Sequence, residues 1–144
     1  MPSKHDLQPL LDVRQNQLGV VFADSDSIDT KALAILGANV AIVLFVDTLH
    51  VATWKFVLVY SLFVISLVLD VISIWPRKYQ DMSVDSTAHP SYLHLNANDL
   101  VLQLLADTED AIKFNSQLNR KRMHFCISSI VLTGLGILAL LCIL

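Results

Sequence analysis

Residues 125–144 contain no charged side chain. As an α-helix this run reaches ~30 Å, the thickness of a bilayer's hydrocarbon core. A helix that is apolar all round has no face to offer water. Hiding it in a soluble core would take more polar cover than this chain has. Hydrophobic residues make up 54% of it and charged residues only 16%, where a soluble domain carries about a quarter charged.

Two further apolar runs repeat the signal. Residues 56–74 hold one charge, Asp70, and are flanked by Trp54 and Trp75. Those two tryptophans lie ~31 Å apart on a helix, the spacing expected of residues that favour both membrane interfaces. Residues 32–46 are shorter, ~22 Å as a helix, and give way to Asp47, Thr48 and His50. To span, this segment must extend to Ala52 or let Lys31 snorkel. The expected architecture is therefore an all-α integral membrane protein of one domain. Its transmembrane helices fall at 32–52, 54–75 and 123–144, beside a cytoplasmic helical stalk.

Lys and Arg set the orientation. Lys4, Arg14 and Lys31 precede the first span. Arg77, Lys78, Lys113, Arg120, Lys121 and Arg122 separate the second from the third, and only Lys55 lies between the first two. Positive residues favour the cytoplasm. The N-terminus and the long connection are expected inside, and the C-terminus outside. The first thirty residues are polar and acidic, so no cleavable signal is expected there.

Residues 6–29 read as a cytoplasmic helix. Leu7, Leu10, Leu11, Leu18, Val21, Phe22 and Ile28 recur at three- and four-residue steps. Pro9 fits near its start, and Gly19 weakens it. Nothing after Gly19 forces a break before the first span. Residues 76–97 read as a loop, opened by Pro76 and rich in turn formers such as Asp81, Ser83, Asp85 and Pro90. A second cytoplasmic helix is expected over 98–122, capped by Asn98 or Asp99 and running unbroken into the last span. Its stripe of Leu100, Leu104, Leu105, Ile112 and Leu118 needs a partner, either the first helix or another copy of the chain.

Candidate functional residues are polar groups in unusual places. Asn39 and Asp70 sit inside apolar segments, ~12 Å and ~8 Å from the cytoplasmic ends of their helices. These depths permit contact. Ionisable groups within a membrane are functional candidates by default, with a structural hydrogen-bonded pair as the equal alternative. Arg120, Lys121 and Arg122 form a basic run below the last span. They suit phosphate binding or simple topology marking. Asp24, Asp26 and Asp29 resemble the opening of a calcium loop but lack its glycine and distal glutamate. A solvated acidic turn or helix N-terminus is the expectation, and no metal is expected. Gly134 and Gly136 suit close helix packing. Cys126 and Cys142 lie too far apart on one helix to bridge.

No catalytic set is visible. The five histidines are scattered without metal spacing, and no nucleophile motif, phosphate loop or dinucleotide fingerprint occurs. The expectation is a non-enzyme without cofactors. A formal charge of −3 argues against nucleic-acid binding.

Three features together resemble a known family. A helix passes through Asp29-Thr30-Lys31-Ala32, an Asp-x-Lys-Ala lead-in, to the first span. The second span ends in Trp75-Pro76. A helix from Asn98-Asp99-Leu100 through Asn115 and Asn119-Arg120-Lys121-Arg122 leads to the last span. From about Leu10 onward the chain resembles the small transmembrane effectors of bacterial anti-phage cyclic-nucleotide systems, the Pycsar-type effector family. The resemblance implies a protein of the bacterial inner membrane that senses a cyclic mononucleotide from a partner cyclase. It would then form a homo-oligomer or rearrange, and impair membrane integrity. Asp29 and Lys31 carry over as motif positions. The cytoplasmic part contains no recognisable nucleotide-binding domain. Two other readings stand beside this one. The first is a membrane scaffold that holds a partner through its cytoplasmic helices. The second is a subunit of an oligomeric channel or transporter with Asn39 and Asp70 lining the path.

Overall fold

The computed structural model describes residues 4–48, 54–80 and 94–143, with the side chains of 4–6 and 55 left aside. Expectations that rest on the remaining residues lie outside this description. They include most of the turn after Thr48 and the polar stretch from Asp81 to Pro90.

Among the described residues every regular element is helical. Helix α1 spans Lys4–Thr48, α2 spans Trp54–Ile74 and α3 spans Ala97–Leu141. All three contain stretches long and apolar enough to cross a membrane. Helix α1 runs unbroken past Gly19 into the first apolar segment, and Pro9 lies five residues inside it rather than in its first turn. Helix α3 likewise joins the predicted 98–122 helix and the last apolar segment. Its cap, Asn96, lies two positions before Asn98 and three before Asp99, the expected residues. The Asn96 side-chain oxygen accepts the backbone N–H groups of Asn98 (3.1 Å) and Asp99 (2.9 Å). It thereby satisfies two of the amides that a helix start leaves bare.

The chain forms two compact units, Met1–Asp24 with Arg77–Leu118, and Ser25–Pro76 with Asn119–Leu144. In the first, Leu7, Leu11, Leu18, Val101 and Ala111 are buried. The extended segment after α2 is fastened there by side chains. Asn115, fully buried, donates from Nδ2 to the Gln80 carbonyl (2.9 Å) and accepts the Gln80 N–H on Oδ1 (3.0 Å). The Tyr79 ring meets Phe22 edge-on, with centroids 6.0 Å apart. An extended segment has no ladder of its own, so its amide and carbonyl need such outside partners. Asn115→Ala removes both bonds and is expected to cost about 2 kcal/mol locally. Hydrogen exchange at the Gln80 amide should then accelerate roughly tenfold or more.

The second unit is inside out by the standards of a soluble protein. Leu44, Phe45, Val57, Leu58, Leu138 and Leu141 are more than half exposed, while Asn39, Ser66, Asp70, Ser73 and Ser129 are fully buried. Water would favour the reverse. The arrangement is compatible with a multi-pass membrane protein, whose solvent is as apolar as its exterior side chains.

Buried positions recur every seven residues. In α2 they are Phe56, Phe63 and Asp70, interleaved with Val59, Ser66 and Ser73. In α1 the series Ser25, Ala32, Asn39 and Val46 is buried, and in α3 the series Arg122, Ser129 and Gly136. A seven-residue repeat keeps one seam of each helix facing its neighbours, as in coiled coils. Toward the α1–α2 turn the seam is apolar, made of Val46, Phe56, Val59, Phe63 and Leu140. Phe63 fills the space over Gly136. A Cβ placed there would lie 2.9 Å from the ring's Cζ, closer than packed atoms tolerate. By contrast, the space around Gly134 is open. Gly136→Leu is therefore expected to lower stability in micelles by about 2–3 kcal/mol through overpacking, and Gly134→Leu by much less. Thermal melts of the two variants check this.

Candidate functional site

The polar part of the seam lies within the second unit and forms two layers. In the first, Asn39 of α1 uses both amide hydrogens. Its Nδ2 donates to Ser66 Oγ (2.9 Å) and to Asp70 Oδ2 (2.9 Å), both on α2. Thr133 of α3 donates to Asn39 Oδ1 (2.8 Å). Ser66 Oγ also lies 2.7 Å from Ser129 Oγ, 2.8 Å from Thr133 Oγ1 and 3.0 Å from the Ser129 carbonyl. All three helices thus meet through small polar groups at one level. Ser and Thr suit mid-helix sites because their hydroxyls can fall back on a carbonyl one turn earlier. Thr133 has that alternative, its Oγ1 lying 2.9 Å from the Ser129 carbonyl, which competes with Asn39 Oδ1 for its single hydrogen.

Asp70 is the anomaly of this layer. It is fully buried. Its Oδ2 accepts one N–H, from Asn39, and among the described residues its Oδ1 has no hydrogen-bond partner. An ionised carboxylate offers about four acceptor sites. Leaving most of them empty in an apolar interior is costly.

The second layer centres on Arg122 of α3, which is 2% exposed. Its guanidinium reaches both other helices. Nε donates to the Ser73 carbonyl of α2 (2.7 Å), one terminal nitrogen donates to Ser25 Oγ of α1 (2.7 Å), and the other pairs with Asp29 Oδ1 of α1. Ser73 Oγ in turn donates to the Arg122 carbonyl (3.3 Å). A guanidinium holds five donors in a rigid plane, which is why one arginine can tie three helices at one level. Asp29 keeps 36% of its side chain exposed, so the pair is buried on one side only.

The structure thus brings Asn39 together with Asp70, and Asp29 together with Arg122. The rest of the candidate residues are apart. Lys31, Arg120 and Lys121 point outward. The basic run is split by helix geometry, since each step turns the side chain about 100° and only Arg122 falls on the seam. The aspartates 24, 26 and 29 do not form a turn or a helix N-terminus, contrary to expectation. They lie in the interior of α1, with Asp24 and Asp26 exposed. Ser25, Ser66, Ser73, Ser129 and Thr133 escaped the sequence reading. Ser25 with Asn39, Ser66 with Ser73 and Ser129 with Arg122 keep multiples of seven, which was the available signal, whereas Thr133 lies one turn beyond Ser129 and outside those series.

Against known proteins, the chain matches no family model, no curated relative and no solved structure.

Proposed function

We propose that this protein is a multi-pass effector of the bacterial inner membrane. Its N-terminus is cytoplasmic and its C-terminus lies outside. It answers a cyclic mononucleotide made by a partner cyclase by oligomerising and impairing membrane integrity in anti-phage defence. The observation that carries the membrane-damaging part is the polar seam. Ser66, Ser129, Thr133 and Asn39 are residue types that join membrane helices in general, but the fully buried Asp70 among them is an ionisable group that a merely anchoring bundle has no use for. Such groups face one another while the three helices are closed, and they offer a wettable lining when the helices part. The signalling part rests on the resemblance of the lead-in and basic motifs. Their members Asp29 and Arg122 are ion-paired partners on different helices.

The nucleotide must bind the open arrangement better than the closed one, since a ligand without differential affinity shifts nothing. The test is membrane potential. The chain is expressed in bacteria, and a potential-sensitive dye is followed with cyclic pyrimidine or purine mononucleotides, alone and with a cognate cyclase. Depolarisation with one nucleotide only is the expected result. A chain verified in the membrane that answers none of them favours the scaffold reading instead.

A further inference from the structure

We propose that Asp70 anchors a buried binding site for a small monovalent cation of the sodium class. Oxygens of Asn39, Ser66, Ser129 and Thr133 would complete the shell. The inference does not depend on the nucleotide signal.

The starting observation is the bare Asp70 Oδ1 in a fully buried side chain. Among the described residues no Lys, Arg or His is paired with Asp70. Arg122, the buried cation of the second layer, is committed to Asp29, Ser25 and Ser73. The carboxylate therefore has one amide hydrogen and no counter-charge. Three occupants could answer that. A water molecule would satisfy Oδ1 but leave the charge. A proton would remove the charge but would not draw on the neighbouring hydroxyl and amide oxygens of the layer. A cation answers both needs, because it neutralises the carboxylate and is itself coordinated by Oδ1.

The surroundings decide which cation. Every polar side-chain atom in this layer other than Asn39 Nδ2 is an oxygen, from carboxylate, amide or hydroxyl, with the Ser129 carbonyl accepting beside them. Hard cations choose such donors, and soft transition metals choose sulfur and imidazole. Among the described residues no group of three or more His, Cys, Asp or Glu is gathered for a metal. One carboxylate balances one positive charge, and calcium sites usually gather several carboxylates. Hydroxyls and amides add neutral oxygens without further charge. Three helices contribute to the layer, so an ion held there would favour the closed bundle by mass action.

The test uses the purified full chain in detergent micelles without nucleotide. Thermal unfolding is followed in choline chloride, with sodium titrated in at constant ionic strength. Equilibrium binding of radioactive sodium is measured on the same sample. The expected result is a melting temperature that rises with sodium and saturates together with binding of about one ion per chain. Asp70→Asn should abolish both effects while melting near the sodium-loaded wild type. Should Asp70→Asn fail to fold, Ser129→Ala keeps the carboxylate and removes one oxygen, and is expected to weaken sodium binding roughly tenfold. No saturable sodium binding to the wild type overturns the proposal. So does a melting temperature that follows pH but is indifferent to sodium, because the occupant is then a proton. Equal sodium binding by wild type and Asp70→Asn also overturns it.

Discussion

Asp29→Ala is expected to destabilise the three-helix unit more than Arg122→Met, although both break the same ion pair. The reason is unequal burial. The Arg122 side chain is 3% exposed and that of Asp29 36%. Removing Asp29 leaves a guanidinium away from water with its charge uncompensated, at a cost of about 3 kcal/mol. Removing Arg122 leaves a carboxylate that can still reach solvent. The loss is then about 1–2 kcal/mol, mostly from the Ser73 carbonyl that loses its guanidinium donor. The double variant should be more stable than Asp29→Ala alone, because methionine needs no counter-charge. Thermal or denaturant unfolding in micelles gives the three values. A larger loss for Arg122→Met than for Asp29→Ala would mean that the guanidinium, when unpaired, snorkels to water more easily than its burial implies.

Asn39→Ala is expected to be nearly as severe, by a different route. Among the described residues the amide is the one hydrogen-bond donor to Asp70, and it also ties Ser66 and Thr133 into the layer. Truncation strands the carboxylate and opens a polar cavity, costing about 3 kcal/mol. Asn39→Asp should be worse still, since two carboxylates would then share the site without a donor between them. Asp70→Leu is expected to be neutral or stabilising, because it deletes the buried charge rather than isolating it. Loss of membrane activity in a well-folded Asp70→Leu variant would identify the carboxylate as retained for function at the expense of stability. Melting curves and dye depolarisation, measured side by side, separate the two effects.

The fold was legible where the physics is additive. Apolar length alone located α2 and the latter part of α3. The absence of any breaker after Gly19 or Asn98 implied the two long helices. The pairing of Asn39 with Asp70 followed from comparing their depths, because a rise of 1.5 Å per residue converts position into height. What stayed hidden depended on rotation about the helix axis. Lys31 and Arg122 look alike in the sequence as basic residues beside an apolar run. Only the seven-residue seam distinguishes the exposed one from the buried one. The serines were missed for the same reason. An apolar stripe is sought by its leucines, whereas here the inward face is the more polar one and the exposed leucines carry no positional information. Asn96 was passed over as a cap because Asn98 and Asp99 beside it are equally good capping residues, and the choice among them lies in a single backbone turn.

All of this presumes that the apolar exterior faces lipid with the C-terminus outside, and sulfhydryl labelling tests that directly. Cys142 is exposed near the end of α3, and Cys126 is buried within it. Intact spheroplasts would be treated with a membrane-impermeant maleimide. A second sample would carry Cys142→Ser together with Gln117→Cys, a position exposed on the N-terminal half of α3. The account predicts that Cys142 is labelled in intact cells, and that the cysteine introduced at position 117 is labelled only after the membrane is permeabilised. Labelling of both positions without permeabilisation, or of position 117 alone, would contradict it.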